Sequence, residues 1–165
     1  MHDNIFDENN EYKIIKYIQS FKKNDVFDKI MKFSSNILCL KYYIVILFIL
    51  ALYNKLNNKD IFVIMCSFVA IISFKNLIAR QRPFDKYNVE KLDECEIDKY
   101  SFPSGHTFFA IVLTFILKKK LNIDIKYFPY LVGLSRVYLG SHYPTDILGS
   151  FLITKIISKS YNFIM

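Results

Sequence analysis

At 165 residues and a formal charge of +7, the chain is long enough for one domain and no more. Hydrophobic residues make up 53% of it and aromatics 17%, yet the mean hydropathy is only +0.21, because the charged residues gather between apolar runs and in the first third. That layout fits a small multi-span membrane protein. The lysines form no single basic stripe, which sets nucleic-acid binding aside, and lysines flanking membrane spans account for the charge.

The first 11 residues are acidic and polar, with no apolar stretch of a cleavable signal peptide, and read as a disordered tail; the spans themselves must direct insertion. From 12 to 36, Ile14, Ile15, Ile18 and Phe21, then Val26, Phe27, Ile30, Met31 and Phe33, recur at helical spacing with lysines on the other face. This predicts one or two amphipathic helices, lying on the membrane surface or packed against the rest of the domain. Apolar segments follow at 37–53, 60–79, 104–117, 125–139 and 146–163. Several fall short of the roughly 20 residues that cross the hydrocarbon core, which suggests a cavity cut into one membrane face. The expected fold is all-α: a polytopic membrane helical bundle of about five spans preceded by an amphipathic N-terminal helix. Residues 1–36 are then the acidic tail and interfacial helices, and 37–165 the membrane domain.

If neighbouring spans run antiparallel, the end of the second, the start of the third, the end of the fourth and the start of the fifth lie on one side. The loops at 52–60 and 118–126 are rich in lysine, which predicts that the opposite side is cytoplasmic and this one extracytoplasmic or lumenal. The lysines of the N-terminal region argue the other way if the number of spans is odd.

Three polar blocks fall on that side. Lys75-x6-Arg82-Pro83 puts two cations on one helix face, two turns apart, with Pro83 ending the span. Pro103-Ser104-Gly105-His106 offers a helix cap and exposed backbone N–H groups, an anion site in waiting. In Ser135-Arg136-x5-His142-x3-Asp146 a carboxylate stands where it can orient an imidazole and stabilise its charge. Each block has an ordinary reading: snorkelling cations, a plain N-cap, an aspartate capping the last helix. Together they bring three cations, two histidines and a carboxylate to one face. Of the 22 Lys and Arg only Arg80, Arg82 and Arg136 are arginine, and two of these three fall in the blocks, as do two of the three histidines. In so lysine-rich a chain, a retained arginine points to bidentate anion binding. The set suits a phosphoryl group, with a nucleophile and a general acid among the histidines. The three cysteines, Cys39, Cys66 and Cys95, are odd in number and lack metal-type spacing, so neither a disulfide framework nor a zinc site is expected.

The pattern K-x6-R-P, P-S-G-H and S-R-x5-H-x3-D resembles the type 2 phosphatidic acid phosphatase superfamily, matching all three blocks in order over residues 75 to 146. The wider layout is similar to the small undecaprenyl-diphosphate phosphatases linked to bacitracin resistance. The resemblance implies that Lys75, Arg82 and Arg136, with Ser104 and the Gly105 amide, bind phosphate oxygens. His142 is then the nucleophile that forms a phosphohistidine, Asp146 orients it, and His106 protonates the leaving oxygen. No metal and no cofactor are implied, and the partner is a lipid phosphate or diphosphate: polyprenyl diphosphate, phosphatidylglycerol phosphate or phosphatidic acid. Two other readings are a non-catalytic membrane protein that binds phosphorylated lipid, and a vanadate-dependent peroxidase, whose relatives lack the apolar spans.

The acidic stretch 85–98 reads as a solvated loop or a gate over the site, and Tyr138 and Tyr143 as interfacial residues or substrate contacts.

Overall fold

The structure, a computed structural model, describes residues 8–92 and 98–160. All the regular structure among these residues is helical. Helix α1 (Glu8–Gln19) passes through a single 3-10 turn (Ser20–Lys23) into α2 (Asp25–Asn36), whose first turn is capped by Asn24, its side chain accepting from the N–H groups of Val26 and Phe27 at 3.1 Å. Then come α3 (Leu40–Leu52), α4 (Asn58–Ile78), the single-turn α5 (Pro83–Lys86), α6 (Gly105–Leu121), α7 (Phe128–Tyr138) and α8 (Pro144–Ser160).

The five apolar segments of the sequence become α3, α4, α6, α7 and α8. Helix α4 opens on a reciprocal capping box between Asn57 and Asp60 and closes at Ala79 in the left-handed region. Helix α6 runs through Lys118–Lys120 to Leu121, beyond the predicted stop, because Lys119 and Lys120 both reach the buried Asp60 carboxylate at the start of α4. That contact ties α4 to α6 at the end of the bundle remote from the three polar blocks. Among the described residues, Asn58–Lys86 is long and apolar enough to cross a membrane alone. Helices α2 and α3 pass the same test as a pair bent by 57°. At 1.5 Å per residue, α6 and α8, with 17 residues each, reach about 26 Å.

Helix α6 is the centre of the molecule. Phe108, Ala110, Val112, Leu113 and Ile116 are buried along it, against α4, α7 and α8. Tyr43 of α3 stacks on Phe109 at 4.5 Å between ring centroids, with Phe68 of α4 at 4.8 Å.

The N-terminal region departs from its sequence reading. Residues from Glu8 onward are helical, and Glu11, assigned to a disordered tail, is buried; residues 1–7 lie outside the described residues. Ile15 packs on Val89, Val137 and Tyr143, and Met31 on Tyr138 and Leu139, so α1 and α2 dock on α7 and the loop after it. Ile14, Tyr17, Phe21, Val26, Ile30 and Phe33 stay exposed on the outer side. One expectation is corrected: Cys39 is disulfide-bonded and Cys66 is free, where the odd cysteine count argued for no disulfide. Cys95, like the Asp93, Glu94 and Glu96 part of the acidic loop and the C-terminal end of the last apolar segment, lies outside the described residues.

Candidate active site

The sharp end of α4 sets up the first cations. Lys75 sits in the last turn of α4, its Nζ donating to the Tyr100 carbonyl at 2.6 Å. Pro83 opens α5 and leaves Arg82 extended, so the Arg82 guanidinium turns inward and is 1% exposed. Its Nη1 donates to the Ser141 carbonyl at 3.0 Å and lies 3.3 Å from His142 Nε2. Asp98 Oδ1 is 2.9 Å from both Lys75 Nζ and Arg82 Nη2, so an anionic oxygen already stands between the two cations. A phosphate oxygen entering there would displace it.

Ser104 caps α6: its Oγ accepts from the Thr107 N–H at 3.4 Å and shares a proton with Thr107 Oγ1 at 3.0 Å. Its own N–H donates to the Asp146 carbonyl at 3.3 Å, and Ser150 Oγ donates to the Ser104 carbonyl at 2.9 Å, which sews the start of α6 to the start of α8. Gly105 and His106 line a cavity of about 340 Å³ together with Lys75 and Asp98, and the cavity continues along Leu40, Ile71 and Ile72 as an apolar groove between helices. A Cβ on Gly105 would meet nothing nearer than Phe109 at 3.9 Å. The protein itself therefore makes no demand for glycine there.

Arg136, in the last turn of α7, is fully buried and donates through Nη1 to Ser35 Oγ of α2. Its carbonyl accepts from the N–H groups of Ser141 at 3.2 Å and His142 at 3.3 Å. Gly140, at φ +77°, makes this tight return possible; a Cβ there would fall 2.5 Å from the Glu90 carbonyl oxygen. The fold-back delivers His142, 1% exposed, to the cations.

Asp146, in the first turn of α8, accepts from the Tyr143 N–H at 2.8 Å through Oδ2, and the same oxygen is 3.4 Å from His142 Nδ1. That separation is longer than a good hydrogen bond. Arginine has no acceptor, so His142 Nε2 presents a lone pair to Arg82 and the ring proton sits on Nδ1, toward Asp146. Burial is the first cause that pushes the His142 pKa well below the usual histidine value, followed by the charges of Arg82, Arg136, Lys75 and His106. His142 is therefore neutral at pH 7, with Nε2 facing cations.

All eight residues singled out by the sequence lie at this end of the bundle. Lys75, Gly105 and His106 share the cavity; Arg82, His142 and Asp146 form a contiguous chain. Ser104 is engaged as a cap, and Arg136 braces the loop that carries His142. Four further residues belong to the same end and were not assigned from sequence. Asp98 was left within an acidic loop and Glu11 within a tail. Ser35 gave no signal. Arg80 gave one, as the third arginine of a lysine-rich chain.

The family model described as the PAP2 superfamily matches residues 57–162. Undecaprenyl-diphosphatase BcrC of Bacillus subtilis is 30% identical over 154 residues, covering 88% of this chain and 79% of its own. The transmembrane PAP2-type phosphatidylglycerolphosphate phosphatase of Bacillus subtilis superposes with a TM-score of 0.69 at 26% identity, over 98% of this chain and 86% of its own. Aquifex aeolicus LpxE, at 21% identity, shares the fold, with a TM-score of 0.72 over 92% and 94%. The chain belongs to the PAP2 superfamily and is a phosphatase, a phosphoric ester hydrolase.

Proposed function

We propose that this phosphatase is an integral-membrane enzyme that hydrolyses a lipid phosphate or diphosphate through a phosphohistidine on His142. The observation that carries this reading is the orientation of that ring: Nε2 faces Arg82 at 3.3 Å while Nδ1 faces Asp146. The Nε2 lone pair attacks phosphorus and the bond to the leaving oxygen breaks. His106 gives its proton to that oxygen. Lys75, Arg82 and Arg136, with the N–H groups at the start of α6, hold the phosphoryl oxygens and take up the charge that grows in the transition state. Water then attacks the phosphohistidine, losing its proton to His106, and the phosphate–His142 bond breaks to restore the neutral imidazole.

Two features support a membrane-embedded site and a lipid substrate. Helices α3 and α4 expose Phe48, Leu52, Phe62, Met65, Val69 and Ile72, an apolar girdle. The cavity beside His106 opens along apolar side chains, as an alkyl chain requires. In this reading α3, α4, α6, α7 and α8 are five spans, the cavity lies between α3, α4 and α6, and the exposed apolar residues of α1 and α2 rest on the membrane surface. Cys39, between two residues that line the cavity, is disulfide-bonded, which favours an oxidising compartment on the side of the site. The lysines at the far end then face the cytoplasm, in line with the charge rule. Among substrates, a polyprenyl diphosphate comes first, because the undecaprenyl-diphosphatase relative matches most of both chains. Phosphatidylglycerol phosphate comes second.

The test is phosphate release by detergent-purified protein, in EDTA, from a panel of polyprenyl diphosphate, phosphatidylglycerol phosphate and phosphatidic acid. Release unaffected by EDTA supports the reading, and no release from any of them by folded protein contradicts it.

Two predictions attach to the site. The rate has an acid limb set by His142 and an alkaline limb set by His106. Because burial and cations lower the His142 pKa, the acid limb of kcat/KM lies below the usual histidine range, so activity persists as pH falls through 6.5. A pH–rate profile with its acid limb above the ordinary histidine value contradicts this. Second, Gly105→Ala folds normally but places a methyl group where the phosphoryl oxygens approach. KM is expected to rise several-fold while the melting temperature stays within a few degrees of wild type.

A further inference from the structure

Arg80 is not needed by any of the three blocks, yet its buried guanidinium bonds Asp146, Thr145 and Glu11 at this end of the bundle. Its Nη1 donates to Asp146 Oδ1 at 2.7 Å and to Thr145 Oγ1 at 2.7 Å, and its Nη2 pairs with Glu11 Oε2 of α1. The guanidinium carbon lies 3.7 Å from the centre of the Tyr143 ring. The other Glu11 oxygen accepts from the Thr145 N–H at 2.8 Å and from its hydroxyl at 2.7 Å. Glu11 is 6% exposed, Arg80 5%, and Tyr143 and Asp146 not at all.

We propose that Arg80, clamped by Glu11 of the N-terminal helix, is the positioning residue that holds the Asp146 carboxylate toward His142. The proposal rests on the reading of His142 as nucleophile. Asp146 divides its two oxygens between Arg80 and the His142 side: Oδ1 is taken by Arg80, which leaves Oδ2 for the Tyr143 N–H and His142 Nδ1. A carboxylate free to rotate would present either oxygen, or neither, to the imidazole. Arg80 removes that freedom, and a lysine could not replace it, because a single ammonium group does not span Asp146, Thr145 and Glu11 in one plane.

Charge assigns Glu11 its part. Asp146 and Arg80 alone sum to zero, and a neutral pair does little for the positive ring that His142 becomes when phosphorylated. With Glu11 the buried group carries one net negative charge, matched to that ring. Glu11 stands 69 residues away from Arg80 in sequence, on a helix held in place by Ile15 packing on Tyr143 and Val137. Helix α1 is thereby part of the catalytic apparatus as well as a surface element.

The experiment compares wild type, Glu11→Gln and Arg80→Gln in the same detergent, with kcat, KM and the acid limb of kcat/KM measured for each on the substrate that wild type hydrolyses. The groups facing His142 in all three are Asp146, Arg82, Arg136, Lys75 and His106. Both variants are expected to lose roughly tenfold or more in kcat with KM within about twofold. The limbs move in opposite directions. Glu11→Gln removes a negative charge, disfavours the imidazolium and shifts the acid limb to lower pH; Arg80→Gln removes a positive charge and shifts it to higher pH. A kcat within twofold of wild type in Glu11→Gln overturns the proposal, as does a fall in kcat with the limb unmoved, which would mark a packing role only. If Arg80→Gln does not fold, the near-isosteric Glu11→Gln decides through its own kcat and downward shift. A wild type that releases no phosphate, or a His142→Ala variant that keeps its turnover, overturns the reading beneath and is distinguished from either result.

Discussion

Replacing His142 by Ala is expected to lower kcat by roughly 10⁴-fold or more, the scale of loss when a covalent nucleophile is removed and only binding and electrostatics remain. The substitution deletes the neutral imidazole nitrogen that faces Arg82. It leaves intact the backbone contacts that place the loop, since the His142 N–H bond to the Arg136 carbonyl and the Arg82 bond to the Ser141 carbonyl do not use the imidazole. KM should therefore change little, and helix content and detergent-solubilised size should match wild type. Turnover within tenfold of wild type would mean that His142 is not the nucleophile.

Arg82→Lys carries the second largest expected effect, a fall of roughly 10²–10³-fold in kcat/KM, comparable with losing one preorganised oxyanion donor. Arg82 uses its fork in two directions. Nη1 holds the Ser141 carbonyl and faces His142 Nε2, while Nη2 reaches the point shared with Lys75 and now taken by Asp98. A lysine at this position supplies one point of positive charge. It can approach the phosphoryl oxygens or brace the His142 loop, but not both at once. The loss should appear in kcat as well as KM, because the interaction with the transferring phosphoryl group strengthens as charge develops. A rise in KM alone would assign Arg82 to ground-state binding only. An unchanged kcat/KM would remove it from the site.

The parts of this site that were legible in the sequence are those fixed by local spacing. Lys75 lies in the last turn of α4, Ser104 and Gly105 open α6, and His142 precedes Asp146 by four residues across the start of α8; the expected common helix face of Lys75 and Arg82 is corrected, because α4 ends at Ile78 and Pro83 leaves Arg82 extended. Antiparallel neighbours then bring four helix ends together without any knowledge of packing. The five apolar segments were legible as apolar runs set between polar and charged loops, though several are short. Glu11 and Ser35 were not. Each is buried by a partner far along the chain, Arg80 for Glu11 and Arg136 for Ser35, and a short acidic stretch looks the same whether it is solvated or clamped. The stop of α6 was misplaced because Lys119 and Lys120 read as the hydrophilic end of a span, when Asp60, two helices earlier, draws them into continued helix. The Cys39 disulfide was missed because counting cysteines says nothing of which two lie close in space.

The covalent intermediate is detected most directly by quenching the enzyme in alkali within its first turnovers on substrate labelled in the transferred phosphate. The expected result is label on the protein that survives alkali, is lost in mild acid as a phosphohistidine is, maps to His142, and is absent from His142→Ala. Rapid phosphate release with no label on wild-type protein at any quench time, or label that maps to another residue, would contradict it.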